Sequence, residues 1–375
     1  MLLLGSRQVG KTTILKRLFP NAQYFLLDND PVRKNFETYD IHSYRQFINP
    51  QTEYVVIDEI QLLEDPGRAA KIIYDQLPDI RLVITGSAAL NIKNKTSESL
   101  AGRKLNYNLY PLTLAEYLYQ IEVEKSLDDN FLERIVHSQP QPRTHLFDLG
   151  ATLERVLTFG LHPYLIDHPQ DEGYLTELAD SQIYKDILEL NLIENQKVAA
   201  DLLKLLAYQV GNLINYSEIA NRLEIDARTV KRYISIFEQS FIIFHLAPFT
   251  SKRRDEIGKA SKIYFYDVGL RNAVINDFSR PKLRRDYGSL FESFIVAEVV
   301  KYNEYFGKKY ELAYWRTTQG AEVDLVLHNA DEIIACEIKV SKGTVSRAFT
   351  NRFPKAKKRV ITTNNFYQAT QEPGS

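Results

Sequence analysis

The sequence is short of sulfur. Its 375 residues include one cysteine, Cys336, and one methionine, Met1. A single cysteine cannot close an internal disulfide or build a cysteine-rich zinc site, and it agrees with a reducing, cytoplasmic setting. The seven histidines are scattered, with no pair at zinc-ligand spacing, so no zinc site is expected. No apolar run approaches the roughly 18 residues of a membrane span. The start, Met1 through Arg7, reaches glycine and charge too early for a signal peptide. Charge of one sign is missing too: 47 Lys+Arg face 48 Asp+Glu, a net charge of −1. That excludes a uniformly basic nucleic-acid coat, so any contact with DNA or RNA must come from local patches. Internal repeats, a nucleophile elbow and a dinucleotide fingerprint are also absent.

What remains is an ordinary globular composition, 44% hydrophobic and 25% charged. At roughly 150 residues per domain, the length favours two or three domains. Residues 1–127 alternate short apolar runs (Leu2–Leu4, Tyr24–Leu27, Tyr54–Ile57, Leu82–Ile84) with helical patterns (Lys11–Phe19, Ala69–Leu77). Strands interleaved with helices predict a parallel α/β sheet. Residues 145–250 are mostly helical in period. Residues 260–361 return to strand-like alternation in Ile263–Tyr266, Tyr310–Trp315, Ala321–Leu327 and Glu332–Val340, and a polar tail, 362–375, ends the chain. Candidate linkers are Asp128–Arg143 and Ser251–Lys262.

Gly5, Ser6, Arg7, Gln8, Val9, Gly10, Lys11 and Thr12 fit G-x-x-x-x-G-K-[ST] between an apolar strand and an apolar-periodic helix. Such a loop turns consecutive N–H groups toward phosphates beside a positive helix N-terminus. Lys11 then reaches the β and γ phosphates, Thr12 ligates Mg²⁺, and Thr13 closes the cradle. The plain alternative is a Gly-containing strand–helix turn. A second segment speaks against that alternative: the strand from Tyr54 ends in Asp58 and Glu59, placed to hold Mg²⁺ and to polarise the attacking water. A third strand, from Arg81 to Ser87, puts a hydroxyl at its tip, where Ser87 is either a γ-phosphate sensor or a turn residue. ATP and Mg²⁺ are the expected cofactors.

The order of these segments, followed by Ser99–Arg103 and Leu109–Tyr117, resembles a large prokaryotic family of AAA-type ATPases whose C-terminal domain has long been known only as one of unknown function. The resemblance continues through Phe159–Tyr164, Lys262–Leu270 and Gly320–Asp324 and covers nearly the whole chain. It implies a P-loop AAA-type domain, and it implies that Arg103 is an arginine finger given to a neighbouring subunit's nucleotide, hence a homo-oligomer. A surface arginine after a glycine turn is the plain reading of Arg103. The family also implies a helical segment ahead of the first strand that contacts the base; here Met1 is almost at the loop.

In the middle, Tyr216–Ile225 reads as a short helix with Ser217 as N-cap, and Asp226 caps a second helix over Arg228–Phe237. Val230, Tyr233, Ile234 and Phe237 share one face; Arg228, Lys231, Arg232 and Ser235 share the other. This is the layout of a helix-turn-helix offering cations to DNA, with Ile242–Phe249 as a wing strand and Lys252–Arg254 after it. A packing or lid unit with a solvated basic face is the alternative.

Near the C-terminus, strict alternation places Val323, Leu325 and Leu327 on one face and Glu322 and Asp324 on the other. It places Glu337 and Lys339 together as well. Pairing the two strands gathers Asp324, Glu337 and Lys339, the D…E-x-K set of Mg²⁺-dependent nucleases with a restriction-endonuclease-like α/β fold. The helix Ser289–Tyr302 adds Glu292, with Glu298 as runner-up. An amphipathic hairpin with a charged solvent face is the alternative. The run Lys339–Arg359 has no acid and carries Lys339, Lys342, Arg347, Arg352, Lys355, Lys357, Lys358 and Arg359. It either neutralises phosphates or simply solubilises the end of the chain. Cys336 falls on the apolar face.

Three functions stay open: an ATPase that engages DNA and cuts it, an ATP-gated docking module with an inactive nuclease-like domain, and a protein-remodelling ATPase.

Overall fold

The computed structural model describes residues 1–87, 105–123, 131–137, 149–181, 193–250, 260–307 and 309–367. Two compact units result. The first takes in the described residues of Met1–Tyr110 with Ser235–Ile242; the second takes in those of Pro111–Ile183, Ile193–Ile234 and Ile243–Ser375.

In the first unit β1 (Leu2–Leu4), β2 (Gln23–Leu26), β3 (Tyr54–Asp58), β4 (Arg81–Gly86) and β5 (Asn106–Asn108) form one sheet in the order β2-β3-β4-β1-β5. Every neighbouring pair is parallel. Parallel neighbours need crossover connections, and the helices Lys11–Leu18, Asp30–Phe36, Ile41–Phe47 and Pro66–Gln76 lie in those connections. The second and third of these are only seven residues each, too short to show a helical period in the sequence. Asp40 caps one by accepting from Ser43 N at 2.8 Å, and Asp65 caps Pro66–Gln76, with proline at the first helical turn. Leu3, Leu15, Val56 and Val83 form a buried cluster between sheet and helix. Because all strands run one way, β1, β3 and β4 end at one edge, with Leu4 opposite Gly86 and Ile57 opposite Ile84.

In the second unit β6 (Ile243–Pro248), β7 (Lys262–Phe265), β8 (Glu311–Arg316), β9 (Glu322–His328), β10 (Ile333–Lys339) and β11 (Lys357–Thr362) form a mixed sheet in the order β11-β10-β9-β8-β6-β7. The long helix Tyr287–Tyr305 packs against β7 and β10. The helix Arg347–Arg352 buries Phe349 with Trp315, Val323, Val326 and Ala335.

Several sequence expectations change here. Ile242–Phe249 is not a separate wing: β6 pairs antiparallel with β7 and parallel with β8, so it belongs to the C-terminal sheet. The first helix of the two-helix element is Tyr216–Arg222, and its N-cap is Asn215, not Ser217; Asn215 Oδ1 accepts from Glu218 N at 3.2 Å. Part of the candidate linker Asp128–Arg143 is a helix, Phe131–His137, whose carbonyls Ile135 O and Val136 O accept from the Arg359 guanidinium at 2.6 and 2.9 Å. Arg359 thus serves a helix C-terminus and is buried. The start of the polar tail is packed as well, with Phe366 and Tyr367 buried.

The runs Phe159–Tyr164 and Lys262–Leu270 hold each other. Asp267 caps the helix Val268–Ile275 through Leu270 N (2.9 Å) and reaches Leu161 N at 2.7 Å. Gly160, at φ +72, and Gly269 make this contact sterically feasible. A Cβ on Gly160 would lie 2.1 Å from Asp267 Oδ1, and one on Gly269 2.0 Å from Phe159 O. Gly269→Ala should therefore destabilise the protein by about 1–3 kcal/mol or more in urea unfolding. Gly288→Ala, in a helix with nothing within 4 Å, should be neutral or stabilising by up to about 1 kcal/mol. Equal effects of the two would refute the close-approach argument.

Candidate functional site

The loop after β1 begins with a glycine because nothing larger fits: a Cβ on Gly5 would lie 2.1 Å from Leu109 O. Gln8 (φ 59) and Gly10 (φ 94) take left-handed conformations, and Gly10 stands immediately before the helix Lys11–Leu18. That alternation turns backbone N–H groups inward. Lys11 is buried, its Nζ donating to Gly5 O at 2.9 Å and Ser6 O at 2.8 Å. A buried ammonium wrapped by its own loop is a site matched to an anion.

The β3 end meets this loop directly. Thr12 Oγ1 donates to Asp58 Oδ2 at 2.7 Å. Asp58 also accepts from the Tyr24 hydroxyl at Oδ2 and from the Thr85 hydroxyl at Oδ1. Burial first, and the Asp58 contact second, push the Tyr24 phenol well above its ordinary range. Glu59 follows in the left-handed region, φ 62 and ψ 43. Its carboxylate accepts from the Gln61 amide, which also donates to Ser87 Oγ at 3.1 Å. Ser87 is thus brought beside Glu59 through Gln61. One carboxylate and one hydroxyl suit Mg²⁺, which keeps several waters and takes phosphate oxygens for the rest. Tyr24, Thr85 and Gln61 are the residues that spacing does not single out. Their signal is topological, since β2, β3 and β4 end side by side. Arg103 lies outside the described residues.

In the second unit the register brings the second set together. Lys339 Nζ lies 2.8 Å from Asp324 Oδ2 and 2.9 Å from Glu337 Oε1. Strict alternation does not do this alone. Trp315 pairs with Val323 but Ala313 with Val326, so β9 carries one extra residue there, a bulge. Val323 and Val326 consequently share one apolar cluster, which corrects the alternating face of Val323, Leu325 and Leu327. The bulge falls at Asp324–Leu325, and Asp324 Oδ2 accepts from Ile338 N at 2.8 Å. Gly343 packs over the site; a Cβ there would meet Lys339 Cγ at 2.9 Å and Glu337 Cγ at 3.3 Å.

Glu292 keeps different company. Its Oε1 accepts from the Tyr264 hydroxyl at 2.7 Å and from Lys262 Nζ at 3.3 Å. Lys262, 2% exposed, also pairs with Glu322 at 2.5 Å. Burial alone would lower the Lys262 and Lys339 pKa values, but the surrounding carboxylates win and raise both. Burial raises Glu292, and the Asp324 charge adds to it. Glu298 does not join: it is buried with Lys301 at 3.0 Å and accepts from Leu114 N at 2.7 Å. Among the described residues no group of three or more His, Cys, Asp or Glu is arranged to hold a metal ion. Yet Glu337 Oε2 is buried with no hydrogen-bond partner among them, and an orphaned carboxylate oxygen beside Asp324 fits a divalent cation better than an apolar core.

On the two-helix element, Val230, Tyr233, Ile234 and Phe237 are buried, while Arg228, Lys231 and Arg232 are exposed. Arg232 pairs with Glu194 at 3.2 Å, and Lys231 lies over the Tyr216 ring at 5.2 Å. Lys252–Arg254 lie outside the described residues. No described helix is long and apolar enough to cross a membrane.

Three family models match successive stretches of the chain. Residues 1–118 match the family model of an AAA domain. Residues 150–310 and 287–372 match two domains of unknown function (DUF8612 and DUF4143). An uncharacterized protein of Methanocaldococcus jannaschii, MJ1637, is 27% identical, covering 92% of this chain and 76% of that protein. One from Haemophilus influenzae is 22% identical, covering 99% and 90%. Among solved structures, a DNA replication initiation factor aligns at TM-score 0.25 and 13% identity, over 63% of this chain and 81% of that one. The Bacillus subtilis DNA clamp loader delta protein aligns at 0.28 and 14%, over 80% and 94%. At these TM-scores the likeness establishes no shared architecture.

The Glu337 carboxyl is pushed up from 4.5 to about 7, by burial first and by the Asp324 charge second, against the pull of Lys339. The folded protein holds that proton more tightly than the unfolded chain does. Its contribution to stability is therefore complete below the unfolded carboxyl's range and is lost as pH rises through about 7. In EDTA, the Tm of Glu337→Gln relative to wild type should rise between about pH 5 and about pH 8. A Tm difference independent of pH would remove this assignment.

Proposed function

We propose that this chain binds and hydrolyses ATP at the Gly5–Thr12 loop, in the cytoplasm, and engages DNA through its C-terminal half. The observation that carries the first part is the 2.7 Å bond from Thr12 Oγ1 to Asp58 Oδ2. It ties the phosphate loop to the acid at the end of β3, and Lys11 stands buried on the loop between them. In this reading the backbone of Gly5, Arg7, Gln8, Val9, Gly10 and Thr13 surrounds the phosphates, and Lys11 draws the β and γ phosphates in. Thr12 and Asp58 would hold Mg²⁺, which when bound neutralises phosphate charge. Glu59 polarises the water that attacks the γ phosphorus, and Ser87 answers to the γ phosphate. Arg103 completes the site of a neighbouring copy, which makes the active form a homo-oligomer.

Lys11→Ala should abolish binding of a fluorescent ATP analogue. Glu59→Gln should keep binding and slow hydrolysis, since it removes water polarisation and leaves the metal ligand; hydrolysis at the wild-type rate would reject the role of Glu59. If Arg103 acts in trans, Arg103→Ala mixed with Lys11→Ala should recover part of the activity, because one composite interface keeps both parts. Concentration-independent activity from a strict monomer would reject it.

A second activity is favoured by one observation, the buried Glu337 Oε2 without a partner beside Asp324 and Lys339. We assign these residues, with Glu292 behind them, to metal-dependent cleavage of DNA. Arg228, Lys231 and Arg232 would meet the phosphates. Nicking with Mg²⁺ or Mn²⁺ should disappear in Lys339→Ala while ATPase activity survives. Binding of DNA without cleavage under either metal would leave this half as a docking module, and ATPase stimulation by a protein but by no nucleic acid would favour the remodelling alternative.

A further inference from the structure

Gln61 lies two residues beyond Glu59, in the short turn Ile60–Leu62, and is 4% exposed. Its Nε2 donates to two acceptors at once, Glu59 Oε2 and, at 3.1 Å, Ser87 Oγ. The same amide therefore joins the residue after β3 to the residue after β4. Its Oε1 is buried and meets no donor among the described residues. Chemistry fixes which way the amide faces, because the reverse orientation would set its carbonyl oxygen against the Glu59 carboxylate.

The backbone is bent to make this contact. Glu59 takes φ 62 and ψ 43, a left-handed conformation that is strained for a non-glycine residue. The bend returns the chain at once, so that a side chain two positions on meets the carboxylate. An unpaired buried amide oxygen carries a further cost, that of losing its hydrogen bond to water. A structural glutamine would have no use for an acceptor left open beside a carboxylate and a hydroxyl. An acceptor in that place fits a water.

We infer that Gln61 is a positioning residue for hydrolysis. Its amide N–H group locks Glu59 and Ser87 in one relation, and its open Oε1 accepts a hydrogen bond from the second O–H of the water that Glu59 polarises. With one O–H directed to Glu59 and the other to Gln61, the oxygen lone pair is left to face the γ phosphorus. The water oxygen forms the new bond to phosphorus as the bond to the ADP oxygen breaks. The water proton passes by way of Glu59 to the phosphate products. This rests on the ATP-hydrolysis reading above and adds to it a residue that acts through Glu59 and the water.

The test uses the full chain, with ATP turnover and binding of a fluorescent ATP analogue measured on wild type, Lys11→Ala, Gln61→Leu and Gln61→Glu. Gln61→Leu should bind the analogue within about twofold of wild type and lose kcat by about 10²-fold, the loss expected when a reactant is misplaced by about 1 Å. Gln61→Glu keeps the shape but sets a second carboxylate against Glu59. One shared proton restores a donor, so its kcat relative to wild type should rise as pH falls from about 8 to about 6, whereas the Gln61→Leu ratio stays flat. A Gln61→Leu kcat within twofold of wild type, or a loss matched by an equal loss of nucleotide affinity, overturns the inference. So does a pH-independent ratio for Gln61→Glu, which also decides the matter if Gln61→Leu does not fold. Turnover that survives Lys11→Ala, or is missing from wild type, overturns the ATP reading itself, and the inference falls with it.

Discussion

The N-terminal unit is organised around one carboxylate. Asp58 stands at the end of a buried strand, 1% exposed, and accepts hydrogen bonds from the hydroxyls of Thr12, Tyr24 and Thr85. Those donors come from the helix after the loop, from β2 and from β4, so a single side chain registers three neighbouring elements at the edge where the parallel strands end. A buried carboxylate without such partners would be expensive. With them it becomes a fixed acceptor, and the loop it anchors through Thr12 keeps its curled backbone around Lys11. In open parallel sheets ligands sit at the carboxyl ends of the strands. Here the same edge collects the loop, both acids and the hydroxyl of Ser87.

The C-terminal unit solves a different electrostatic problem. Four carboxylates, Glu292, Glu322, Asp324 and Glu337, are linked to three cations: Lys262 is shared by Glu292 and Glu322, Lys339 by Asp324 and Glu337, and Arg316 lies 3.8 Å from Glu322. Four negative charges still face three positive ones, and burial together with the Asp324 charge raises the Glu337 and Glu292 carboxyls. The β9 bulge is what makes the arrangement geometrically available. Without the extra residue, the ladder hydrogen bonds of β9 would stay regular, and the Asp324 carboxylate would have no reason to meet Ile338 N.

Much of this was legible in the residues. The strand–loop–helix of Gly5 to Leu18 and the acids after Val55–Ile57 follow from local patterns that tertiary contacts do not override, and alternation names Asp324, Glu337 and Lys339 without showing the bulge that brings them together. What stayed hidden depends on contacts distant in sequence or on irregularity. A bulge leaves the composition of β9 unchanged while reversing the face of Val326, so alternation misplaces it. The bonds of Tyr24, Thr85 and Gln61 arise from strand order, which spacing does not encode. Ser217 and Asn215 are equally good caps by residue type, and only the helix start decides between them. Arg359 reads as one more cation in a basic run, yet its guanidinium holds the end of a helix more than 200 positions earlier.

The same distinction separates motifs that carry chemistry from motifs that carry packing. Gly160 and Asp267 belong to runs as eye-catching as the phosphate loop, but Asp267 spends its carboxylate on Leu161 N and Leu270 N, and the glycines make room for that contact. Both oxygens are committed to backbone donors, so the pair has nothing left to offer a ligand. Glu298 is used up in the same way, by Lys301 and Leu114 N. Glu337 and Gln61 differ in one respect: each keeps a buried oxygen with no donor among the described residues. Tyr174, Ser240 and Ser293 also keep buried hydroxyl oxygens without a partner among the described residues, but only at Gln61 and Glu337 does the open oxygen stand with the carboxylates that the sequence places beside a lysine or a hydroxyl.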